Sequence, residues 1–125
     1  MSDHRAVLYV EDEVIIREFL VMALEDAGFE VVAAENGAAA LEALDHNADP
    51  FCAIVTDIQL GAGPDGWEVA RRARQINRQL PVVYMTGAGG ADMAVKGVSN
   101  SLMIAKPFKF DDVVQAVIVL IGKTA

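Results

Sequence analysis

The 125-residue chain carries ten Lys plus Arg against eighteen Asp plus Glu, a formal net charge of −8, with 54% hydrophobic and 22% charged residues. That length suits one domain with a buried core, the composition excludes disorder and fibrous repeats, and the charge argues against direct nucleic-acid binding. No apolar run approaches the roughly 18 residues needed to span a bilayer, and Met1 to Arg5 does not read as a signal peptide, so a cytoplasmic protein without a membrane partner is expected.

Ala6 to Val10 is a short apolar, β-branched run that stops at Glu11-Asp12-Glu13, and it reads as a buried strand ending in acid. From Val14 the spacing turns helical. Ile15, Phe19, Met22, Ala23 and Ala27 predict one apolar face, flanked by Ile16, Leu20 and Leu24, with a stop at Gly28. Glu30 to Ala34 predicts a second strand, and Asn36-Gly37 turns the chain into a helix over 38–44 with Leu41 and Leu44 at helical spacing. Asp45 to Pro50 is a polar loop. Phe51 to Asp57 is a third apolar run ending on a carboxylate, and the single cysteine within it, Cys52, is expected to be a small buried core thiol.

After Ile58-Gln59-Leu60 a glycine-rich stretch, Gly61 to Gly66, leads into a helix over 66–77. Trp67, Val69, Ala70, Ala73 and Ile76 form its apolar face, and Arg71, Arg72, Arg74 and Arg78 are expected as a solvated basic surface. Pro81 to Met85 predicts a fourth strand that delivers Thr86. The three glycines of Gly87 to Gly90 precede a short, weak helix over 91–98. Leu102 to Ala105 is the fifth strand, ending at Lys106-Pro107. A last helix over 108–121 carries the stripe Phe110, Val113, Val114, Val117, Ile118 and Ile121, with Asp111-Asp112 suited to its first turn.

Five strands alternating with five helices predict an α/β domain: a doubly wound parallel sheet of order 2-1-3-4-5. No linker or repeat interrupts it, so residues 1–125 are expected to be a single domain. In that order four strand ends bring Glu11-Asp12, Asp57, Thr86 and Lys106 to one crevice. Clustered carboxylates repel one another unless a cation sits among them, and hard oxygen ligands suit Mg²⁺. A lysine adds a second positive centre and a threonine hydroxyl can donate to a phosphoryl oxygen. The chemistry indicated is a phosphoryl group on, or beside, a carboxylate, with a carboxylate as nucleophile.

Val10-Glu11-Asp12-Glu13, Asp57, Thr86-Gly87 and Lys106-Pro107-Phe108, in that order after four strands, resemble the receiver domain of bacterial two-component response regulators, a flavodoxin-like fold. The resemblance covers essentially the whole chain. It implies that Asp57 accepts a phosphoryl group from the phosphohistidine of a histidine kinase or histidine phosphotransfer protein. It further implies that Mg²⁺ is held by Asp12, Asp57 and the backbone carbonyl of Gln59, with Glu11 helping through water. Lys106 would bind the phosphoryl group, Thr86 would move to hydrogen-bond it, and the Lys106-Pro107 bond would be cis. Receivers usually carry Tyr or Phe where this chain has Met103, its 57–66 segment is slightly long and rich in glycine, and Ala88 stands at a position that often tunes hydrolysis, as Gln59 does.

Rival readings are weaker. Gly61-Ala62-Gly63-Pro64-Asp65-Gly66 matches a dinucleotide-binding string, but it follows the third strand and Pro64 removes an amide that a phosphate would need. An aspartyl-nucleophile phosphatase resembling the dehalogenase type would need a second Asp at position 59, where Gln59 stands. A receiver-like interaction module independent of phosphorylation is the remaining alternative. The expected output is protein contact with an unidentified target, through the fourth helix, fifth strand and fifth helix. Neither an output domain nor enzymatic action beyond self-catalysed phosphorylation and dephosphorylation is expected.

Overall fold

In the computed structural model, which describes residues 6–46, 51–87 and 97–124, five strands pair in parallel in the order β2-β1-β3-β4-β5. They are β1 (Ala6–Val10), β2 (Glu30–Ala34), β3 (Ala53–Asp57), β4 (Val82–Thr86) and β5 (Ser101–Ala105). Four helices are described: α1 (Val14–Asp26), α2 (Gly37–His46), α3 (Gly66–Ile76) and α4 (Phe110–Thr124). The helix expected over 91–98 lies outside the described residues except for Gly97 and Val98, which are not helical. Among the described residues no helix is long and apolar enough to cross a membrane.

The continuous apolar character of the strands follows from burial on both faces. Side chains alternate across a strand, so Leu8, Val10, Ile54, Val82 and Tyr84 join α2 and α3 in one core. Val7, Tyr9, Ala53, Val55, Val83 and Met85 join α1 and α4 in the other.

Helix α1 corrects the expected face. Leu20 and Leu24 are its buried residues, whereas Ile15, Phe19 and Met22 are 71%, 53% and 57% exposed. Apolar residues occupy more than one side of this helix, and the sheet selects the Leu20 and Leu24 side. Gly28 ends the helix as expected, at φ 97°, with Gly28 N–H donating to the Glu25 carbonyl and Phe29 N–H to that of Leu24. Those two bonds form a Schellman stop that satisfies the last free carbonyls. In α2, Asn36 is the cap, its Oδ1 accepting from Ala39 N–H at 2.8 Å.

The arginines of α3 are only partly a solvated surface. Arg72 pairs with Asp45 at 2.7 Å, joining α3 to α2, and Arg74 donates to the carbonyls of Leu80 and Asn100. Arg74 therefore ties the start of β4 to the start of β5. Ile76 and Ile118 are exposed rather than inward. Cys52 is half-buried and precedes β3, packing at the edge of the α1 and α4 core. Met103 is half-buried against the other core, opposite Tyr84 in register.

The glycine-rich segment after β3 runs toward the start of α2. A Cβ on Gly37 would collide with the Pro64 carbonyl oxygen, so only glycine lets the loop settle there. The loop then delivers Asp65 as the cap of α3, with Asp65 Oδ1 accepting from Glu68 N–H and Glu68 Oε1 accepting from Asp65 N–H. This capping box places two acids at the helix start, where a dinucleotide phosphate would have to sit.

Candidate functional site

Parallel pairing places the site. Tyr9 lies opposite Val55, so two residues further along each chain Glu11 comes beside Asp57. Asp57 closes β3 and is 3% exposed, Glu11 is fully buried, and Thr86 closes β4. Past the strand ends, the ladder continues: Glu11 N–H donates to the Ala34 carbonyl, Ile58 N–H to Met85 and Lys106 N–H to Thr86. These bonds hold the backbone rigid where it leaves the sheet.

Gly66 brings the following helix hard against the same point. A Cβ there would strike the Asp57 carbonyl oxygen and crowd Ile58. Thr56 Oγ1 donates to that carbonyl at 2.8 Å. The Asp57 backbone is thus fixed from two sides.

Lys106 Nζ reaches both Asp57 oxygens, at 2.8 Å to Oδ1 and 3.0 Å to Oδ2. Burial disfavours the Lys106 ammonium, but the hydrogen bond and charge of Asp57, helped by Glu11 and Glu13, raise its pKa on balance. The Lys106-Pro107 peptide is cis, as the resemblance implied. Oxygens of Glu11, Asp12 and Asp57 all lie within 4.8 Å of one another. Burial first, then the hydrogen bond and charge of Asp57, push the Glu11 carboxyl up to about 8.

A cavity of about 330 Å³ opens over these groups, lined by Asp12, Glu13, Asp57, Gln59, Gly61, Thr86, Gly87 and Lys106. All of the residues expected at the site therefore converge, Glu11 from beneath and the others on the wall. The donor set suits Mg²⁺: it is all oxygen, anionic and crowded enough to hold a proton that a divalent cation would displace.

Sequence reasoning missed the supports of Glu11. Tyr9 Oη donates to Glu11 Oε1 at 3.2 Å, Glu13 N–H donates to Oε2 at 3.3 Å, and Arg17 Nη1 donates to the Glu11 carbonyl at 2.8 Å. The available signal was a tyrosine two residues before Glu11, on the same side of the strand. A second, largely apolar cavity of about 390 Å³ lies next to the site, lined by Ile16, Lys106, Pro107, Phe108 and Phe110. Ala88 lies outside the described residues.

A family model for the response regulator receiver domain matches residues 7–118. The chain is 35% identical over 115 residues to the response regulator receiver protein CpdR of Brucella abortus, covering 90% of this chain and 93% of that protein. It is 33% identical over 123 residues to the transcriptional regulatory protein CusR of Escherichia coli, covering 95% of this chain but 52% of that longer protein. A crystal structure of a response regulator receiver protein from Sinorhizobium medicae superposes with a TM-score of 0.93 at 36% identity, covering 98% of each chain.

Proposed function

Since the chain belongs to the response regulator receiver domain family of two-component signalling, we propose that it is a phosphorylation-dependent switch with Asp57 as its phospho-acceptor. The observation that carries this reading is Asp57 itself. A carboxylate this buried, gripped on both oxygens by Lys106 and crowded by two further acids, is costly to stability and suited to chemistry.

An Asp57 oxygen attacks the phosphorus of a phosphohistidine, the P–N bond breaks, and the leaving imidazole keeps the electron pair and takes up a proton. Lys106, already within hydrogen-bond reach, passes from the carboxylate to the incoming phosphoryl oxygens. Thr86, on the same wall, donates its hydroxyl to the group once it is attached. Bound Mg²⁺ supplies the charge neutralisation that lets an anionic phosphoryl group approach an acidic pocket. Asp12, Asp57 and the Gln59 carbonyl are its proposed ligands, with Glu11 acting through water.

The phosphodonor is a histidine kinase or histidine phosphotransfer protein. Its proposed seat is the exposed Ile15, Phe19 and Met22 stripe of α1 and the adjoining apolar cavity, which reaches Lys106. Output is by protein contact with a target of the domain. Incubation with Mg²⁺ and acetyl phosphate, read by intact-mass spectrometry, tests the acceptor. Wild-type protein gains one phosphoryl group and Asp57→Asn gains none; equal labelling of both would remove Asp57 from its role.

A further inference from the structure

We infer that Tyr9 is a positioning residue for the metal: its hydroxyl holds the Glu11 carboxylate in the orientation that binding Mg²⁺ requires. The inference rests on the metal assignment made above, in which Asp12, Asp57 and the Gln59 carbonyl are the ligands and Glu11 acts through water.

Tyr9 is fully buried in the middle of a strand whose neighbours Val7, Leu8 and Val10 are aliphatic and equally buried. Packing alone asks nothing of a phenol there, and a buried hydroxyl must find an acceptor. It finds Glu11 Oε1 at 3.2 Å. The other oxygen, Oε2, accepts from Glu13 N–H, and the Glu11 carbonyl is held by Arg17. Each carboxylate oxygen thus has one donor on the protein side and a remaining lone pair for the crowded acids and any cation among them.

Chemical type matters as much as position. A cationic donor under Glu11 would hold the carboxylate as firmly, but its charge would oppose a divalent ion close by. A phenol donates without net charge. Tyr9 is itself packed among Val55, Val83 and Met85 in the core shared with α1 and α4, so the donor is set by the sheet and not by a loop. Outer partners of this kind orient metal-binding carboxylates, and their loss weakens metal affinity by about tenfold or more.

Tyr9→Phe keeps the ring and deletes the donor. Calorimetric titration with MgCl₂ is expected to give a Kd about tenfold weaker than wild type, while the melting temperature in EDTA falls by several degrees as the buried Glu11 oxygen loses its donor. A Tyr9→Phe Kd within twofold of wild type would overturn the positioning role and leave the metal assignment standing. Absence of saturable Mg²⁺ binding by the wild type would instead overturn the metal assignment, and the inference with it. Should Tyr9→Phe fail to fold, the wild-type chain carries its own control, because it has two tyrosines. With ¹³Cζ-tyrosine labelling, Mg²⁺ is expected to shift the Tyr9 resonance and leave that of Tyr84, which packs on the opposite face, in place. A Tyr9 signal unmoved at saturation would overturn the role.

Discussion

Lys106 and Asp57 show how far single residues can be read from order alone. Asp57 and Lys106 are 49 positions apart, yet each was recognisable as a polar group ending an apolar run, and parallel pairing brings such ends together. Their contact geometry was not legible, because it depends on how the backbone turns after β5. The prediction at this scale concerns the pair. Lys106→Met leaves Asp57 buried without its counter-charge. In EDTA the variant should lose about 1–2 kcal/mol in urea unfolding, less than a fully dry pair would, because the Lys106 side chain is 26% exposed. Labelling by acetyl phosphate should slow by about tenfold or more, since a cation aimed at the transferring group is gone. Wild-type stability and labelling rate together would deny Lys106 any part in the site. Tyr9 marks the opposite limit of legibility. Its hydroxyl looked like part of a hydrophobic strand until the structure gave it an acceptor.

At the scale of elements, the strands and the last helix were legible because apolar runs and helical stripes each had one dominant reading. Helix α1 was not. Its apolar residues surround most of the axis, so periodicity identified a helix but not the side that meets the sheet. Leu20→Ala should cost about 2–4 kcal/mol by opening a cavity in the α1 and α4 core. Phe19→Ala should cost about 1 kcal/mol or less, chiefly the loss of its stacking on Phe110, whose ring centroid is 6.1 Å away. Chemical denaturation of the two variants decides which face is core. Phe19→Ala should also slow phosphoryl transfer from a histidine phosphotransfer protein while leaving labelling by acetyl phosphate unchanged. Equal rates from the protein donor would show that the stripe is not the donor's seat. The α3 arginines illustrate a related limit: Arg72 is the surface charge expected, although its partner Asp45 comes from α2, while Arg74 is half-buried and bound to the Leu80 and Asn100 carbonyls, the second 26 residues away.

For the whole molecule, the alternation of elements and the handedness of their crossovers limited the strand orders, and the observed one is the simplest of them, as expected. The path of the 57–66 segment did not follow, since a loop takes its course from what it lands on. Metal linkage is the property of the whole fold most open to measurement. Mg²⁺ at a hundred times its Kd should stabilise the folded state by about 2.7 kcal/mol, a rise of roughly 10 °C in melting temperature for a chain of this size. Asp12→Asn should abolish most of the rise in scanning calorimetry, and identical melting in EDTA and Mg²⁺ for the wild type would sink the metal assignment.

The seat of Pro64 on Gly37 gives the crevice three abutments of different origin. One is the acid end of β1, one is the pair of strand ends that carry Thr86 and Lys106, and the third is a loop braced on α2, which itself packs against β1 and β2. A phosphoryl group set between them would act as a keystone. Tightening around it would load the α2 side of the sheet as well as the β4 and β5 side, so the domain would register the group as a change in span.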